Sequence, residues 1–511
     1  MNFGKIRAGL KTLEDATLNL GTYRRANENF GDKDYVVKCI ADGNLNKERA
    51  ISNFYYRTSG IYNKVCRYVA YIYRYDWMIT PVVDRGLVVV PSHNEPSESS
   101  RNRYLKDFFT ILKKFDDFNV KKFCGDAALK VIKNGCYYGY LTTSNNDKIS
   151  IQELPPDYCR TRFSINGRPA VEFNMAFFDN FYPTTELRTK ILNVFPPEFK
   201  KGYRAYKEGR LVSDFPGDTA GWYMLTPYNT IKFNINGDDT PIFIAAIPAI
   251  IDLDTAKELD KKRIAQKLLR VLVQKMPLDK NGDPIFDVDE AQALHNNAVQ
   301  MLSKAIGIDV LTTFADVDVA DMSDKSNTSQ SDDITRVKNS VFDEFGTSIN
   351  NFNSTSNNAL KYSSLNDASS IYNLIQQFEA FLNSLLEPYN RNAKKCYYMA
   401  EILPTTNENY QDLAKLYKDQ TGSGFSKLKP AIALGQSESS VLATAYWENE
   451  VLDLIKVFVP PITSATMNAD TLTALTGNGE GASSEESSSA GRPEKPDEDK
   501  SDKTIANRES L

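Results

Sequence analysis

Two histidines, six cysteines and a run of aspartates are the residues of this 511-residue sequence whose types could carry chemistry. His93 stands in a polar stretch and His295 in a helical one. Neither has a Cys, Asp or Glu at metal-ligand spacing such as HExxH. His295, followed by Asn296 and Asn297, reads as a structural helix residue. Cys39, Cys66, Cys124, Cys136, Cys159 and Cys396 form no CxxC pair, and no secretory leader is read at the start, so a reduced, cytosolic setting is expected. Asp316, Asp318, Asp321 and Asp324, with Asp332 and Asp333 beyond them, could hold two divalent cations for a nuclease. Their dense, loop-borne placement fits solvated charge better. No GxSxG elbow and no GxxxxGK[ST] phosphate loop occurs. The expectation is a protein that is not an enzyme and uses no cofactor or metal.

The elements that would position such residues are mostly helical. Apolar side chains at Ile51, Phe54, Ile61, Val65, Tyr68, Val69 and Ile72 recur at helical spacing, and Pro81 closes the run. Within it, "SGIYNKVCRYVAYIYRYDWMITP" (59–81) interleaves Tyr62, Tyr68, Tyr71, Tyr73, Tyr75 and Trp77 with Lys64, Arg67 and Arg74. A nucleic-acid platform needs its aromatics on one exposed face beside a basic track. Here they continue a helical stripe, which predicts packing, with Arg67 and Arg74 in ion pairs or cation–π contacts. A second helical pattern covers 101–135. Short alternating runs over 135–143 and 148–178, broken by Pro-Pro and Asn-Gly, read as strands and hairpins, and "WYMLTPYNTIKFNIN" as strand again.

"IPAIIDLDTAKELDKKRIAQKLLRVLVQKM" has a helical register surrounded by charge, acidic in its first half and basic in its second, as the helix dipole favours. A long helix that is polar nearly all round belongs between bodies or on a wet surface. The breaker-rich turn 277–289 leads to a helix ending at Gly307, then strands, then the polar loop "SDKSNTSQSDD" (323–333). Asp332 and Asp333 would cap the next helix, whose stripe is Ile334, Val337, Val341 and Phe345. A strong amphipathic helix follows over 364–391, with shorter ones over 408–458. From about Met467 the Ser-, Gly- and Glu-rich composition predicts a flexible tail.

Hydrophobic residues at 41% and charged residues at 25% are ordinary for a folded protein, while 11% aromatic content suggests large packing faces or subunit interfaces. The net charge of −5 excludes a globally basic nucleic-acid binder. The longest apolar stretch (241–251) is too short to cross a bilayer, so no membrane association is expected.

Taken in order, "YYRTSGIYNKVCRYVAYIYRYDWMITP", "FPPEFKKGYRAYK", "IPAIIDLDTAKELDKKR", "LVQKMPLDKNG", "HNNAVQML", "GIDVLTTFADVDV" and "NNFNSTSNNALKYSSLNDASSIYNLIQQFEAFLN" resemble the portal (head–tail connector) proteins of tailed bacteriophages, over roughly residues 45 to 400. The resemblance implies a mixed α/β, predominantly helical portal-type fold assembled as a homo-oligomeric ring, commonly a dodecamer, at one capsid vertex. Carried onto this sequence, 1–246 and 347–400 form the wing, 247–272 the first stem helix, 273–288 the clip and 289–306 the second stem helix. Residues 307–346 hold strands, tunnel loop and tunnel helix, 401–460 the helical crown and 461–511 a flexible acidic, Ser-rich tail.

Implied channel contacts are Ser323, Asp324, Lys325, Ser326, Asn327, Thr328, Ser329 and Gln330 on the loop, with Arg336 and Lys338 on the helix. Implied clip contacts are Asp279, Lys280, Asn281 and Asp283. The implied partners are the terminase large subunit, head-completion or adaptor proteins, the major capsid and scaffolding proteins, and double-stranded DNA held without sequence specificity. The implied setting is the virion, and the host cytoplasm during assembly. A conduit must not grip its cargo, and an acidic chain avoids the tight, salt-dependent hold of a channel that neutralises many phosphates. From the residues alone, without the resemblance, 323–333 reads as a plain solvent-exposed connection. The rival functions are a metal-dependent nuclease using the aspartates, and a capsid shell or scaffold component without a channel.

Overall fold

The computed structural model describes residues 30–83, 98–143, 148–165, 167–212, 219–268, 270–275, 277, 279, 285, 287–302, 308–313, 330–347, 357–390 and 396–454. Side-chain oxygens start the first helices. Asp32, Asn44 and Ser59 each accept a hydrogen bond from a backbone N–H two or three residues on, opening α1 (Lys33–Ala41), α2 (Leu45–Thr58) and α3 (Gly60–Ala70). Strand β1 (Trp77–Val83) and helices α4 (Glu98–Phe118) and α5 (Val120–Asn134) follow. Helix α5 stops at Gly135, whose φ of +80 suits glycine. A Cβ there would lie 2.0 Å from the Asp239 carbonyl oxygen, so the close approach of two backbones also requires it.

Next come β2 (Cys136–Thr143), β3 (Ile149–Leu154), β4 (Cys159–Ile165), β5 (Arg168–Asn174), α6 (Ala176–Phe181), α7 (Thr185–Val194) and α8 (Pro197–Lys207). Then follow β6 (Trp222–Met224), β7 (Thr230–Asn234), α9 (Ile247–Leu268), β8 (Arg270–Lys275), α10 (Val288–Leu302) and β9 (Ile308–Thr313). The last elements are α11 (Gln330–Phe345), α12 (Asn357–Ser370), α13 (Tyr372–Asn390), β10 (Cys396–Ile402), α14 (Tyr410–Thr421), α15 (Lys429–Ala433) and α16 (Glu438–Tyr446). The fold is mixed α/β and predominantly helical, as expected.

The chain divides into two compact units, Met1–Leu442 and Ala443–Leu511. The described part of the second is the end of α16 and a π-helical turn, Trp447–Val451. In the first, the largest core joins α2 to α5, α13, the inner faces of β1 and β10, and the Tyr137–Phe233 pair. That pair is in register across β2 and β7 with its rings stacked 5.7 Å apart. A second core is built largely from rings, including Phe173, Phe178, Phe195 and Phe199, with Phe178 and Phe195 edge-on at 5.0 Å. It accounts for part of the aromatic richness.

The tyrosine-rich stretch packs as predicted, but not as one helical run closed by Pro81: the helix ends at Ala70, and Trp77–Val83, with Pro81 inside it, is strand β1. Tyr62, Tyr73, Tyr75 and Trp77 are buried. The Tyr62 hydroxyl lies 2.8 Å from Ser52 Oγ, Tyr73 donates to the Ala368 carbonyl (3.0 Å), Tyr75 to the Ala70 carbonyl (2.7 Å) and Tyr68 to Asp367 (3.1 Å). The Arg74 guanidinium lies 4.3 Å from the centre of the Tyr410 ring. Asp76 is fully buried and accepts from Lys121 and from Thr405 Oγ1, with Arg74 Nε at 3.5 Å. Both carboxylate oxygens thus find donors, as a buried carboxylate requires.

Three further expectations are corrected. The helix expected over 247–272 ends at Leu268, and Arg270–Lys275 is a strand paired in parallel with Ile308–Thr313 across α10. "RVLVQK" reads in either period, and pairing with a strand some forty residues on decides it. Gln330, assigned to the loop, is the first residue of α11, so that helix begins ahead of its expected caps at Asp332 and Asp333. Glu401 and Ile402, assigned to the crown, complete β10 opposite Met78 and Trp77. In addition, "WYMLTPYNTIKFNIN" is two strands in two sheets, β6 on β5 and β7 on β2, separated at the Pro227 turn. Residues 1–29 and 461–511 lie outside the described residues.

Candidate nucleic-acid interface

Helix α9 is anchored at its start and bare beyond. Ile247, Ile250 and Leu253 are buried, whereas every residue from Asp254 to Lys262 is exposed or half-buried. At 22 residues it spans about 33 Å. The Lys33–Asp252 ion pair (2.7 Å) ties α1 to α9 near the edge of the buried segment.

Helix α11 packs on α9 through its apolar stripe. Val341, Phe342 and Phe345 are buried, and Ile334 and Val337 half-buried. The Phe345 ring lies 5.3 Å from Phe243 and 6.1 Å from Tyr62, which seats the helix on the main core. This packing separates the two cations expected to face DNA. Arg336 and Lys338 are two residues apart, roughly 200° around the helix axis. Arg336 is exposed on the outer face, while Lys338 is half-buried and turned toward α9.

Lys338 lines an open cleft of about 490 Å³ where α3, α9 and α11 meet. Lys64 comes to it from α3 and Lys257 with Asp254 from α9, while Phe342 supplies an apolar wall. Asp254 pairs with Lys257 at 3.0 Å. Burial, with the Asp254 charge adding to it, pushes the Tyr55 phenol up to about 12, so that hydroxyl stays protonated and donates to the Phe30 carbonyl. Lys338 makes no hydrogen bond or ion pair among the described residues. The chemistry on offer is attraction of an anion by ammonium groups.

The remaining expected contacts divide simply. Asp279 is exposed. Ser323, Asp324, Lys325, Ser326, Asn327, Thr328 and Ser329, together with Lys280, Asn281 and Asp283, lie outside the described residues. So do Asp316, Asp318, Asp321 and His93, while Asp332 and Asp333 fall in the first turn of α11 and His295 is half-buried on α10. Among the described residues no group of three or more His, Cys, Asp or Glu side chains gathers as a metal site would, and no helix is long and apolar enough to cross a membrane.

Sequence reasoning did not single out Lys64 and Lys257 as partners of Lys338. Lys64 lies in the tyrosine stretch and Lys257 among the alternating charges of α9. Nothing in their spacing signals that packing brings them together. No protein-family model matches the chain, and no curated protein matches it.

Proposed function

We propose that the chain is one subunit of a portal-type ring, a non-enzymatic conduit through which double-stranded DNA enters and leaves a phage capsid. The observation that carries the reading, beside the ordered motifs, is helix α9: anchored over its first two turns by Ile247, Ile250 and Leu253, then without a buried residue from Asp254 to Lys262, with Leu259 60% exposed. A helix that leaves its own core carrying an exposed leucine is suited to neighbours on either side, as in a ring closed by a heterologous interface. The strand–helix–strand unit β8–α10–β9 at its far end fits the outward-facing stem and clip. There the ring would dock the terminase large subunit during packaging and head-completion proteins afterwards. Major capsid and scaffolding proteins would surround it at the vertex. In this reading the loop 323–329 touches the duplex without reading its sequence.

Negative-stain microscopy and native mass spectrometry of the full-length protein test the proposal. Rings of about a dozen subunits with a central hole are expected. A monomer or dimer that cleaves DNA in the presence of Mg²⁺ would replace this reading with a nuclease. Closed particles without a hole would replace it with a shell component. Within a ring, multiple substitutions across 323–329 are expected to impair DNA packaging or retention while assembly is kept.

A further inference from the structure

We infer that the cleft between α3, α9 and α11 is a binding site for a phosphate-bearing ligand, and this does not depend on the ring reading. Lys64, Lys257 and Lys338 line it from three separate helices, and Asp254, paired with Lys257 at 3.0 Å, is the one carboxylate residue of the lining. The first turn of α3 contains no acidic residue, and Ser59 Oγ is taken up by the Tyr62 N–H. Gly60 and Ile61, which line the cleft, are first-turn residues whose backbone N–H groups have no intrahelical acceptor. A Cβ added at Gly60 would meet nothing within 4 Å, so the space beside that residue is open.

The distribution of donors decides the ligand class. A carboxylate brings one charge and two oxygens and would satisfy one or two of these groups. A phosphate brings up to two charges and several acceptor oxygens, which matches cations arriving from three directions. The cleft, at about 490 Å³, exceeds a bare phosphate, and the Phe342 wall offers contact to an organic body carrying it. The group could come from a free phosphate ester or from a nucleic-acid backbone.

The test is calorimetric titration of the full-length protein with sodium pyrophosphate at low salt. Saturable binding is expected, weakened about tenfold or more in Lys338→Ala and largely restored in Lys338→Arg. Lys122→Ala, an exposed lysine that does not line the cleft, should bind like the wild type. Absence of saturable binding up to about 10 mM pyrophosphate, or equal losses in Lys338→Ala and Lys122→Ala, would overturn the assignment. If a short DNA duplex displaces the pyrophosphate, the site takes a phosphodiester backbone. If the duplex leaves it bound, the site takes a free phosphate ester.

Discussion

Glu438 reaches back from the start of α16 to accept a hydrogen bond from the backbone N–H of Ile79 at 2.9 Å, with its own side chain 2% exposed. The contact closes an otherwise open sheet edge. Strands β1 and β10 form a two-stranded sheet. The outer edge of β10 is matched by helix α13, where Asn383 and Asn390 each accept from and donate to the backbone of Ala400 and Tyr398. The outer edge of β1 offers the Ile79 N–H, taken by Glu438, and Pro81, which has none.

Glu438 makes stability depend on pH. Burial, with Asp116 adding to it, pushes its carboxyl up to about 7 from an ordinary 4.5. Below about 4.5 the folded and unfolded chains both hold the proton. Between 4.5 and 7 the unfolded chain releases it while the folded chain keeps it, so stability falls as pH rises and levels off above about 7. Urea titrations from pH 4.5 to 8 should show Glu438→Gln lacking a loss on the order of 2 kcal/mol that the wild type shows. Parallel curves for the two proteins would contradict the assignment.

Gly135→Ala should be among the most damaging small substitutions. It forces a side chain into a positive φ and onto the Asp239 backbone. A cost of about 3 kcal/mol or more is expected, read as a lower denaturation midpoint. Gly43→Ala, also at positive φ but with open space around it, should cost about 1 kcal/mol.

Thiol reactivity should report global unfolding. Cys39, Cys66, Cys124, Cys136 and Cys159 are free and buried. Burial pushes the thiols of Cys66 and Cys136 up to about 12 and raises those of Cys124 and Cys159 as well. These four thiols therefore lack the thiolate that reacts. Ellman's reagent at pH 8 should leave all five buried cysteines intact in the native protein and titrate all six of the chain in guanidinium chloride. Fast labelling of two or more native thiols would show that the core opens locally.

Leu259→Glu tests the assembly. The residue is 60% exposed on α9, so the isolated subunit should tolerate the change and keep its circular dichroism and melting temperature. In the proposed ring, assembly should shift to at least about tenfold higher protein concentration, because Leu259 would lie in the subunit interface and the substitution would place a charge there. Unchanged rings would remove Leu259 from the interface.

Much of the fold was legible in local pattern. The α3 stripe, the Pro-Pro break between α7 and α8, the helical run of α13 and the stripe of α11 follow from spacing and breakers that act within a turn or two. Where prediction failed at 270–275 and at 401–402, the deciding partner was distant in sequence. Residues 270–275 became a strand because 308–313 lies beside them, and Glu401 and Ile402 joined a sheet because Trp77 and Met78 do.

The candidate site divides the same way. The sequence by itself placed Lys338 on a helix and gave α9 its charged circumference, since periodicity and dipole preference are properties of single segments. Only the tertiary structure turned Lys338 away from Arg336 and brought it beside Lys64 and Lys257. The reason is physical: burial of Val341, Phe342 and Phe345 fixes the rotation of α11, and that rotation settles which cation faces the cleft and which faces water.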